Sequence, residues 1–146
     1  MIRTALAAVL LCSLSSLAWA DTHEVKMLNR GPNGPMDYDP AYLVVKPGDT
    51  VKFLPTVKGH NVATIDGFIP EGAEPFLSKI NQEFEVTLEE EGTYGVKCSP
   101  HFDMGMVMLI QVGERKAEEV KLPEKLPPSA RKRFTKIIET AKQAGL

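Results

Sequence analysis

The sequence predicts an all-β domain, an antiparallel sandwich of short strands followed by a helical extension, and three observations carry that prediction. The segment 83–89 alternates polar and apolar residues with period two, so Phe84, Val86 and Leu88 share one face. Pro47-Gly48-Asp49, Asp66-Gly67 and Glu91-Gly92 punctuate such runs as turns. Only after Val112 does the pattern change to charged, proline-containing sequence and then to a helical period.

The elements follow in chain order. Met1 to Ala20 carries Arg3, an apolar run from Ala5 to Leu11 and the small-x-small ending Ala18-Trp19-Ala20, which reads as a secretory leader (1–20) ahead of one domain (21–146). The apolar run is shorter than the roughly 20 residues a bilayer crossing needs, so no membrane anchor is expected. Bulky Leu11 argues against lipid anchoring at Cys12. Val51-Lys52-Phe53, 83–89, 93–98 and 106–112 are the clearest strands of a sandwich over 21–113. In the extension, 114–146, Phe134, Ile137, Ile138 and Ala141 recur at helical spacing. Pro127-Pro128 precede them and Ser129 is the expected N-cap. The outer face of this helix is basic, yet its apolar stripe is short, and packing onto the sandwich is the expectation.

Composition narrows the function. The chain has 146 residues, room for one globular domain and little else. Without the leader it keeps 16 Lys and Arg against 19 Asp and Glu, a net charge of −3 with no nucleic-acid footprint. Cys98 is then the sole cysteine of a chain bound for an oxidising compartment, where thiols ordinarily pair. Burial, pairing between chains, nucleophilic chemistry or a metal would each account for it.

The segment from Tyr94 to Met106 favours the metal. Tyr94, Val96 and Cys98 point the same way along a strand, so Cys98 reaches inward at its end. Met106, Met108, Ile110 and Val112 share one face of the next strand, whose first inward side chain is therefore a thioether. A seven-residue loop joins the two and carries His101, while His60 comes from the separate segment Lys58-Gly59-His60-Asn61-Val62. Two imidazoles, a thiolate and a weak axial thioether make a type 1 copper site, and soft sulfur selects copper over magnesium or calcium. Zinc gains little from a methionine, and Cys98-Ser99-Pro100-His101 lacks the second cysteine of covalent haem attachment. A protease-type nucleophile needs activation that a strand does not provide. His23 has no such company and is read as structural.

With these motifs in place, the chain resembles the pseudoazurin family of cupredoxins. The resemblance rests on His23 to Asn29, Lys46-Pro47-Gly48-Asp49-Thr50, Gly59-His60-Asn61-Val62, Ile69-Pro70-Glu71-Gly72, Ser78-Lys79-Ile80-Asn81, Tyr94 to Met106 and the C-terminal extension. It implies a Greek-key β-sandwich of about eight strands with two C-terminal α-helices, and one copper ion held by His60, Cys98, His101 and Met106. Met104 gives the C-x2-H-x2-M spacing of amicyanin, whereas Met106 gives the C-x2-H-x4-M spacing of plastocyanin and pseudoazurin, and parity favours Met106. Asn61 and Pro100 match positions near the thiolate, with the Asn61 N–H expected to donate to sulfur. Met36 matches a methionine beside the exposed copper histidine.

The implied role is electron transport in the periplasm of denitrifying bacteria, as a monomer that docks transiently with a copper nitrite reductase or c-type cytochromes. Docking is expected through an apolar patch that includes Met104, ringed by Lys58, Lys79, Lys97 and Arg30. Leu77 and Pro75 stand where relatives carry lysines and thin that ring. A copper storage or delivery protein is the alternative reading, and it would need an open, exchangeable site. An oxidase or nitrite reductase is disfavoured, because three histidines are too few for a second copper centre.

Overall fold

The computed structural model describes residues 19–146. Of the leader, therefore, only Trp19 and Ala20 fall within the described residues; both are exposed. Eight strands run from β1 to β8: Thr22–Gly31, Gly34–Asp39, Tyr42–Val45, Asp49–Leu54, Ala63–Thr64, Phe84–Leu88, Gly92–Lys97 and Val107–Val112. They form two four-stranded sheets, ordered β2-β1-β4-β6 and β3-β8-β7-β5. Helix α1, Pro128–Gln143, follows.

The sandwich is mixed rather than antiparallel throughout. β1 lies parallel to β4, with His23 opposite Val51, and β3 lies parallel to β8, with Tyr42 opposite Leu109. After the β1–β2 hairpin the chain crosses to the other sheet for β3 and returns for β4. A strand that comes back through such a crossover can align with its neighbour, whereas turn residues signal reversal without saying which sheet receives the next strand.

Alternation holds where it was expected. Val25, Met27, Val51, Phe53, Tyr94, Val96, Met108, Ile110 and Val112 fill the space between the sheets, with Phe84 and Val86 packed at its margin. β8 is buried on both faces, because Val107 and Leu109 turn outward into a second cluster with Ala130, Phe134 and Ile137 of α1. Phe134 meets Phe68 edge-to-face at 5.5 Å between ring centres. Burying such a ring contributes about 2–3 kcal/mol, which is why a helix with so short an apolar stripe stays on the sheet.

The extension differs from expectation in two respects. It holds one α-helix, preceded by a single 3₁₀ turn at Ala117–Glu119 instead of a second α-helix. Pro123, Pro127 and Pro128 interrupt any longer helical run, and Val120, Leu122 and Leu126 reach the outer cluster from extended chain. Pro127, not Ser129, occupies the N-cap. Pro128 takes the first helical position, where its missing N–H costs nothing, so Ser129 lies inside the first turn. No helix among the described residues is long and apolar enough to cross a membrane.

Candidate metal centre

Three side chains converge where β7 ends. Cys98 completes the inward row of Tyr94 and Val96 and is fully buried. His101 sits in the 3₁₀ turn Ser99–Met104 that links β7 to β8. That turn is closed by backbone bonds, His101 N–H to Cys98 O at 3.1 Å, Met106 N–H to His101 O at 3.1 Å and Cys98 N–H to Met106 O at 3.0 Å. Gly105 ends it at φ +85°, and a side chain there would strike the Ser129 carbonyl of α1, so glycine is needed both for the turn and for the helix to back it.

His60 arrives from the chain between β4 and β5 and is fully buried. Its Nε2 lies 2.8 Å from Asn29 Oδ1, an acceptor, so the ring proton sits on Nε2 and Nδ1 presents a lone pair. That Nδ1 is 3.2 Å from His101 Nδ1 and 3.8 Å from Cys98 Sγ, while His101 Nδ1 is 3.4 Å from the same sulfur. These are the only three such donors clustered among the described residues, all within 4.8 Å of one another. One ion about 2.0 Å from each imidazole nitrogen and about 2.3 Å from the thiolate satisfies all three spacings. Two imidazole nitrogens and a sulfur at these spacings are a soft, lone-pair-bearing set of the kind copper takes, so the donor set fits an ion.

The electrostatics suit the same purpose. Burial, then the proximity of His101, depresses the His60 pKa and keeps the ring neutral. Burial pushes the Cys98 thiol up, against the backbone N–H groups of Asn61 and His101, which favour the thiolate. A bound cation would complete what these two donors begin.

The surrounding hydrogen bonds fasten the His60 segment to the ligand loop. Asn61 Oδ1 accepts the Ser99 N–H at 2.7 Å, and the Asn61 amide donates to Ser99 Oγ at 3.2 Å and Ser78 O at 3.3 Å. Tyr38 donates its hydroxyl to Asn61 O at 2.7 Å. Asn81, at φ +65°, accepts the Gly59 N–H on its side chain and donates its own N–H to His60 O at 2.9 Å. Asn29, Tyr38 and Asn81 were not singled out as site residues from the sequence. Only Asn29 left a trace there: parity along β1 places it on the face of Val25 and Met27.

The remaining predicted positions sort by exposure. Met106 is fully buried in the same cluster as Cys98, whereas Met104 is 54% exposed on the turn. Pro100 is exposed at the start of that turn. Met36 is half-buried against the sandwich core at φ +51°. Arg30, Lys58 and Lys79 are exposed, and Lys97 holds its ammonium 4.9 Å from the centre of the Phe102 ring. His23 stands apart from the cluster and pairs with Asp49.

Known proteins carry the same plan. A family model for copper binding proteins of the plastocyanin/azurin family matches residues 25–113. The chain is 48% identical over 131 residues to the pseudoazurin of Paracoccus pantotrophus, across 89% of this chain and 90% of that protein. It is 54% identical over 99 residues to the pseudoazurin of Methylorubrum extorquens, across 68% and 67%. The crystal structure of pseudoazurin from Methylobacterium extorquens AM1 superimposes with a TM-score of 0.75 at 45% identity, over 82% of this chain and 98% of the other. Native pseudoazurin from Hyphomicrobium denitrificans does so with a TM-score of 0.72 at 38% identity, over 82% and 97%. With a convergent donor set, buried but for the edge of His101, on a matching fold, the chain belongs to the pseudoazurins of the copper-binding plastocyanin/azurin family, which are electron carriers and not enzymes.

Proposed function

We propose that His60, Cys98, His101 and Met106 hold a single copper ion and that the chain, freed of residues 1–20, is a monomeric periplasmic carrier working in denitrification. The convergence of both Nδ1 atoms on the Cys98 sulfur is the observation that carries this reading. With copper bound, the site offers reversible one-electron chemistry between Cu(II) and Cu(I). The protein's share is rigidity: the closed ligand turn and the Asn61 and Asn81 bonds hold the donors still, so little rearranges when an electron moves. His101 is the one ligand with solvent contact, which makes its ring the exit for the electron.

A copper nitrite reductase or a c-type cytochrome is the partner this reading assigns, bound briefly through the surface around His101. Met104 supplies apolar contact there, and Arg30, Lys58, Lys79 and Lys97 supply steering. Leu77 and Pro75 leave a gap in the charge, so rates of electron transfer to such a reductase should fall only a few-fold between ~0.01 and ~0.3 M salt. A steep fall, or none, would redraw the docking surface.

The optical and EPR spectra after cupric ion is added test the centre itself. An intense blue band with a thiolate-copper EPR signature is expected, and a folded, colourless sample would defeat the assignment. Between the methionines, Met106→Gln should shift the reduction potential and Met104→Gln should leave it in place. The reverse would make Met104 the methionine that holds the ion.

A further inference from the structure

Helix α1 reaches the strand that carries the outer supports of the centre. Arg133 donates from Nη2 to Pro35 O at 2.8 Å, and its Nη1 lies 3.3 Å from Asp37 Oδ1 and 3.5 Å from Met36 O. The Asp37 side chain is fully buried and that of Arg133 is 10% exposed. Asp37 also accepts the Asn33 N–H at 2.9 Å, so its carboxylate is seated in the β1–β2 hairpin. Between Pro35 and Asp37 stands Met36 in the left-handed region, a conformation a non-glycine residue keeps only where its surroundings enforce it.

Two geometrical facts give this bracket its consequence. β2 is an edge strand, paired with β1 alone, so no second strand holds Pro35–Asp37 in place. The β1–β2 register, Leu28 opposite Asp37 and Arg30 opposite Pro35, puts Asn29 across from Met36. Asn29 is the residue that accepts from His60 Nε2, and the next residue but one, Tyr38, holds the Asn61 carbonyl. Met36 thus adjoins, across and along the hairpin, the two residues that make the outer hydrogen bonds of the His60 segment.

We propose that Arg133 is a positioning residue of the metal centre, bracing the left-handed backbone at Met36 in β2 from α1 so that Asn29 and Tyr38 keep the His60 ring and the Asn61 loop in register with Cys98. This rests on the metal reading above. It makes the C-terminal helix part of the centre's scaffold, not only a cover for β8.

The test compares Arg133→Met with Arg131→Met in the copper-loaded mature chain. Arg131 tethers the same helix to the Pro123 and Glu124 carbonyls, with no route to the site. The readouts are solvent exchange of the His60 Nε2 proton by NMR in the Cu(I) form and the EPR parameters of the Cu(II) form. Arg133→Met should speed that exchange by ~5-fold or more, the effect of loosening one hydrogen bond, and displace the EPR parameters. Arg131→Met should do neither, even though both variants lower the melting temperature. Unchanged exchange and EPR in Arg133→Met would overturn the proposal. Should Arg133→Met fail to fold, Arg133→Lys keeps a charge beside Asp37 but cannot also bond Pro35; wild-type exchange in that variant overturns the proposal equally. A wild-type sample that binds no copper would strike the metal reading instead, and exchange of the same His60 proton in the apo-protein would still decide the bracket.

Discussion

β1 joins two histidine environments, one at each end, that differ in what the protein leaves unsatisfied. At its start His23 Nε2 lies 2.8 Å from Asp49 Oδ2, and the same carboxylate takes the N–H groups of Lys46 and Asp21 at 2.9 Å each. Toward its other end Asn29 occupies only one nitrogen of His60, and the second faces His101 Nδ1 and a buried sulfur with no protein oxygen between them. A histidine matched to a carboxylate is a fastening. One whose free nitrogen faces a second imidazole and a buried sulfur is placed to take a metal, and the difference lies in the neighbours' chemistry, not in the residue.

The largest expected effect separates the two ends outright. Cys98→Ala should abolish the blue absorption of the copper-loaded protein, and a variant that kept its colour would remove the thiolate from the centre. Next comes the outer bond on His60: Asn29→Leu should weaken copper binding by ~10–100-fold in competition with a chelator, the usual weight of a hydrogen bond that orients a metal-bound imidazole. Unchanged affinity would mean that core packing alone orients the ring.

The smallest effect belongs to the fastening. Burial disfavours ionised Asp49, but the Asp21 and Lys46 N–H groups and the His23 ring outweigh it and bring the pKa from 3.8 to about 2. A carboxyl with a depressed folded pKa stabilises the fold above its unfolded value and loses that contribution as pH falls through its folded value. Asp49→Asn should therefore cost about 2 kcal/mol in urea unfolding at pH 7 with an unaltered copper spectrum. The gap to wild type should narrow as pH falls from about 4 to about 2. A gap that stayed constant across that range, or a changed spectrum, would blur the contrast between the two ends.

Much of the centre was legible before any coordinates. Strand parity sent Cys98 and Met106 inward, because side chains alternate along a strand, and Met104, of the same parity, stays outside because it sits on the short joining turn. The parallel β1–β4 and β3–β8 pairs were not legible, since local turn residues carry no record of which sheet a strand joins. A second α-helix was expected where only one 3₁₀ turn forms, for prolines outweigh the helical propensity of residues 114–126.

By itself the sequence determined the β periodicity, the lone sulfur at a strand end, the histidine three residues on and the basic, amphipathic last helix. These are local facts, set by residue spacing and side-chain direction. Tertiary structure alone decided which polar groups flank the donors: Asn29 on His60, Tyr38 on the Asn61 carbonyl, Asn81 on the His60 loop and Arg133 on the Pro35 carbonyl beside Met36. Those bonds join segments up to 98 residues apart. Their partners are chosen by the crossing of strands and the docking of a helix, and no spacing along the chain encodes them.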